Sequence, residues 1–163
     1  MTMQQKYWRI MIQTKFEYLY FNLFYEQSVK ANRLLGIFLA VASCGSIAGW
    51  ALWSQFAVVW AVIIALSQVI NAINPFIPYA DRVTELFELK VAILGLFRQL
   101  ELEWYNVAEG VFTSDELNER IQKAKSDADT IKSNYLINDY LSMNKKIERL
   151  ANEMTDDYFV KNY

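Results

Sequence analysis

The pattern of apolar and polar positions divides the chain into three stretches. The first 33 residues mix polar groups with bulky aromatics: Tyr7, Trp8, Phe16, Tyr18, Tyr20, Phe21, Phe24 and Tyr25. From Leu34 to Ala80 there is no Asp, Glu, Lys or Arg, with Arg33 and Asp81 closing the run. Beyond Pro78 the apolar residues return at helical spacing. Val83, Phe87, Lys90, Leu94, Phe97, Glu101 and Trp104 alternate steps of four and three, which predicts one helix reaching about Glu109. Gly110 should end it, and Thr113-Ser-Asp-Glu116 has the spacing of a capping box, so a new helix should begin there. Its apolar face is Leu117, Ile121, Ala124, Ala128, Ile131 and Tyr135. A second series, Leu136, Tyr140, Met143, Ile147, Leu150 and Met154, is out of phase with it, which predicts a break between residues 133 and 138.

The charge-free run is long enough for two membrane crossings. Leu34 to Trp53 is one expected span and Phe56 to Ile77 the other, with only Ser54-Gln55 between them. Lys30, Arg33, Arg82 and Lys90 flank the pair while the turn carries no charge, so both termini are expected on the cytoplasmic side of a bacterial plasma membrane. A secretory signal peptide does not fit, because 33 residues precede the run. The expected architecture is therefore an all-α membrane protein. Residues 1–33 form an aromatic amphipathic helix, 34–80 a two-helix hairpin in a lipid bilayer, and 81–163 a cytoplasmic helical domain. The first helix either lies among the headgroups or packs on that domain; packing is favoured, since only Lys6, Arg9 and Lys15 precede its aromatic run.

Within the hairpin the small residues form stripes. Gly45 and Gly49 lie four apart, with Ala42 and Ser46 at the same spacing, and Ala57, Ala61 and Ala65 match them on the second helix as helix-packing positions. Rotation by about 100° per residue places Val59, Val62, Leu66, Val69, Ile70 and Ile73 on one face of that helix. Trp60, Ile64, Ser67, Asn71 and Asn74 fall on another. Two readings of this polar stripe stay open: hydrogen bonding between neighbouring helices, or a pore lining built from several copies and narrowed at Ile64 or Trp60. One hairpin encloses no pore, so either way a homo-oligomer is expected, with a tetramer favoured.

Composition removes most chemistry. The chain of 163 residues has no His and one Cys, which excludes histidine-based catalysis, an internal disulfide and a multi-thiolate metal site. Cys44 reads as a packing residue. Glu101 and Glu103 read as helix-surface charges, and no phosphate loop or metal spacing occurs. No catalytic residue, metal ligand or cofactor is expected. A net charge of −2 gives no general attraction to nucleic acid. The one cluster of three positive charges in the tail is Lys145, Lys146 and Arg149, with Tyr140 nearby to stack on a base; these are the candidate contacts for a nucleotide, against the alternative of a solvated helix face.

The aromatic N-terminal helix, the tight two-helix hairpin and the Asn74-Pro75-Phe76 entry into a long helix resemble the SLATT family of small bacterial proteins. The resemblance implies an oligomeric ion-channel effector of anti-phage defence. It also implies gating by an oligonucleotide or cyclic nucleotide from a partner nucleotidyltransferase. A non-conducting membrane anchor that recruits a partner through its tail is the alternative, and a holin-like lysis protein is disfavoured by the large tail.

Overall fold

The computed structural model describes the backbone of residues 1–52, 57–73, 79–136 and 144–163, and the side chains of these residues outside 43–57 and 73–82. Every described element is helical. Helix α1 runs Met3–Leu52, α2 Ala57–Ile73, α3 Tyr79–Ala108, α4 Ser114–Tyr135 and α5 Lys145–Asn162. The chain folds as two compact units, one of Met1–Tyr25 with Thr84–Tyr163 and one of Glu26–Val83.

The larger unit contains four helical segments, and its long-range contacts fix their directions. Tyr7 of α1 donates its hydroxyl to the Leu100 carbonyl of α3 at 3.2 Å, and farther along α1 the Lys90 ammonium of α3 donates to Asn22 at 3.0 Å. Rising residue numbers on α1 meet falling ones on α3, so the two are antiparallel. Helix α4 returns beside α1, where Lys132 meets Glu17 at 3.3 Å. Helix α5 begins with the Asn144 amide on the Tyr20 hydroxyl and ends with Phe159 against Trp8. The result is an up-down-up-down arrangement, the simplest way for short connections to bury amphipathic helices.

Its core has two centres. Tyr7, Met11, Leu96, Phe97, Leu100, Val107, Leu117, Ile121, Ala124 and Phe159 form the first, and Phe21, Leu86, Leu89 and Ile93 the second. The aromatic start of the chain thus packs on the helical domain, the favoured of its two readings. Helix α3 stops at Ala108, and Gly110 takes a positive φ of 70°, which a residue without Cβ adopts without strain. The capping box forms as its spacing predicts: Thr113 Oγ1 accepts from the Glu116 amide at 3.3 Å, and Glu116 accepts from the Thr113 amide at 2.8 Å. Helix α4 ends at Tyr135, inside the expected break, while Tyr140 and Met143 lie outside the described residues.

The membrane assignment is corrected. Among the described residues, no helix is long and apolar enough to cross a membrane. Helix α2 has 17 residues, about 26 Å at 1.5 Å per residue, against roughly 20 residues for a crossing. The expected first span is not a separate element but the end of α1, a helix of 50 residues that carries charges as far as Arg33. The plasma-membrane location, the two bilayer spans and the cytoplasmic placement of both termini are overturned by this finding. The length of a charge-free run bounds what a segment can be; it does not place helix ends. Trp53, Phe56 and residues 74–77 of the expected spans lie outside the described residues.

Candidate functional site

In the unit Glu26–Val83, the only buried side chains among those described are Ala42 and Ser67. Large apolar groups stand in the open instead. On α1 these are Leu34, Ile37, Phe38 and Val41, whose spacing of three, one and three keeps them on one face. On α2 they are Val58, Val59, Val62, Leu66 and Val69, each more than half exposed. Val59, Val62, Leu66 and Val69 step by three, four and three, the seam spacing that lets one helix pack along another.

The polar stripe of α2 lies elsewhere. Trp60 and Ile64 are half-buried, and Ser67 is buried. Ser67 Oγ donates to the Ile64 carbonyl at 2.8 Å, so its hydroxyl is satisfied within its own helix. Asn71 is exposed and Asn74 lies outside the described residues. Three of the five stripe residues therefore occupy the more covered side of α2, opposite its open apolar face. Of the small-residue positions, Ala61 and Ala65 are exposed; the side chains at Gly45, Gly49 and Ala57 lie outside those described.

The basic cluster sits at the start of α5. Lys145 and Lys146 are exposed. Asn144 caps the helix by accepting from the Lys146 and Ile147 amides, so those two donors are occupied. Arg149 donates to Glu153 at 2.9 Å in an exposed pair. The cluster is solvated, and one of its three charges is already matched.

Glu101 and Glu103 have structural partners. Glu103 accepts from Tyr7 at 3.2 Å and pairs with Arg120 at 3.1 Å. Glu101 accepts from the hydroxyls of Tyr158 and, at 3.4 Å, Tyr163. Burial pushes the Tyr7 and Tyr158 phenols well up, and the carboxylate beside each adds to the rise. Among the described residues, no group of three or more His, Cys, Asp or Glu is placed to hold a metal.

One arrangement escaped the sequence reading. Lys15 is buried, with its ammonium 3.5 Å from the Tyr158 ring centroid, 4.5 Å from Phe97 and 5.5 Å from Tyr18. Desolvation pulls its pKa down, partly offset by the Glu101 charge, and Arg98 lowers it further. The rings replace part of the water that the cation loses. Beside them, Trp8, Trp104, Phe159, Val160 and Tyr163 line an open cleft of about 480 Å³. The signal available in the sequence was Lys15 set three residues before Tyr18, within the aromatic-rich first segment.

No family model, curated protein or solved structure matches the chain.

Proposed function

We propose that this chain is a non-enzymatic assembly protein whose copies associate through the open apolar faces of α1 and α2. The observation that carries the reading is the unit Glu26–Val83, where only Ala42 and Ser67 are buried among the described side chains while nine large apolar groups are exposed. Exposed apolar side chains aligned along one face of each helix mark an interaction site. Covering four such side chains per copy is worth on the order of 6 kcal/mol at about 1.5 kcal/mol each, enough to offset much of the cost of association. The seam spacing of Val59, Val62, Leu66 and Val69 suits a second copy of the same helix. A tetramer is the favoured assembly.

The effector role rests on the resemblance to the SLATT family. In this reading the assembly state is what a nucleotide from a partner nucleotidyltransferase changes during anti-phage defence, and Lys145, Lys146 and Arg149 meet its phosphates. Their exposure supports access, and the Arg149–Glu153 pair must open for Arg149 to take part.

The test compares two substitutions on opposite sides of α2. Val62→Asn should lower the mass of the assembly in light scattering, because it puts an amide into the apolar seam. Ile64→Asn, on the covered side, should leave the mass unchanged and lower the melting temperature. Equal masses for Val62→Asn and the unaltered chain would overturn the reading.

A further inference from the structure

The outward side of α3 carries a second surface, separate from the apolar unit. Phe87, Val91, Leu102 and Tyr105 are 47%, 49%, 80% and 71% exposed, although they belong to the helix at the centre of the core. With Gly95 and Arg98 between them they step by four, four, three, four and three, which holds them along one side. Gly95 is exposed at the middle of this stripe, and a Cβ built there meets nothing within 4 Å. Its bare backbone leaves room for another helix to come close without straining this chain.

Charge decides which helix. Glu88 and Arg98 are exposed on the same side of α3, and neither has an ion-pair partner among the described residues. Acid lies toward the start of the stripe and base past its middle, so the surface is complementary to its own reverse. A parallel copy would set Arg98 against Arg98. An antiparallel copy crossing at Gly95 leaves Arg98 of one chain and Glu88 of the other offset by about 6 Å along the axis, within the reach of an arginine side chain. The twofold axis makes that pair twice, and Val91 of each copy then lies beside Leu102 of the other.

We propose that α3 docks on α3 of a second copy, antiparallel, with the twofold axis at Gly95. This pairing does not depend on the α2 seam. If both form, the assembly exceeds a dimer, and loss of either contact leaves the other in place.

The test uses the full chain with Val62→Asn, which removes the α2 seam, and measures mass by light scattering. A dimer is expected. Adding Arg98→Glu or Glu88→Arg should halve the mass, and combining the two, which restores opposite charges, should return the dimer. A melting temperature held within a few degrees across the set keeps unfolding out of the comparison. Independently, Gly95→Cys in a Cys44→Ser background should form a disulfide-linked dimer on mild oxidation much faster than Ser126→Cys on the exposed side of α4. A monomer from Val62→Asn alone, an Arg98→Glu chain of unchanged mass, or equal cross-linking rates at the two positions would overturn the proposal. If Val62→Asn leaves the mass of the unaltered chain unchanged, the α2 reading fails instead and the α3 pairing is judged by the charge exchange.

Discussion

Tyr7 concentrates the residue-scale argument. It is 1% exposed, yet its hydroxyl finds both the Leu100 carbonyl and Glu103, so burial leaves no unsatisfied group. Tyr7→Phe removes only the hydroxyl and should cost about 1 kcal/mol, read from the urea midpoint. Alkaline pH acts on the same groups. The phenols of Tyr7, Tyr158 and Tyr163 are raised above their ordinary value of 10 by burial, with Glu103 beside the first and Glu101 beside the other two. A raised pKa means that the folded state holds the proton longer than the unfolded chain does. That stability is complete below pH 10 and is lost as pH climbs through the folded values. Lys15 runs the other way: its lowered pKa lets the folded state shed a proton first, so its penalty fades as pH approaches 10.5. Above about pH 10.5 only the phenol losses remain, and the urea midpoint should fall steadily there. Tyr7→Phe should make that fall shallower. An unchanged slope would show that Tyr7 ionises as readily folded as unfolded.

Among the elements, the turn between α3 and α4 is the part most fully written in local sequence. Gly110 and the Thr113–Glu116 pair act through their own backbone and side chains within a few residues, so spacing alone reveals them. Thr113→Ala should cost about 1 kcal/mol of stability, and Gly110→Ala a similar amount because alanine must then hold a positive φ. Denaturant titration measures both, and values near zero would mean that packing rather than capping ends and begins these helices. The same logic explains what sequence did not reveal. The change from aromatic-polar to charge-free residues at Arg33–Leu34 alters what a helix buries but not its backbone, no proline interrupts the chain there, and the single Gly36 weakens a helix without ending it; α1 therefore runs through. Lys15 was hidden for a different reason. A lysine reads as solvent-facing unless the rings that cover it are known, and two of its three, Phe97 and Tyr158, come from helices far along the chain. The α2 stripe was legible as a face, since rotation fixes which residues share a side, but not as inward or outward, which depends on the neighbouring helix.

At the scale of the whole molecule, the two units contrast in what they leave open. The four-helix unit packs its apolar residues into two buried centres, while in Glu26–Val83 nine large apolar groups are exposed among the described side chains. A unit with so little of its described apolar surface covered gains stability by association, so its assembly and its folding should be coupled, with a melting temperature that rises with concentration. Mass in solution tests the central claim most directly. Light scattering on the purified chain in detergent-free buffer, over a range of micromolar concentrations, should return a discrete assembly of about four times the 19.1 kDa chain. A single 19.1 kDa species across the whole range would contradict the account, because the open faces of α1 and α2 would then need no second copy.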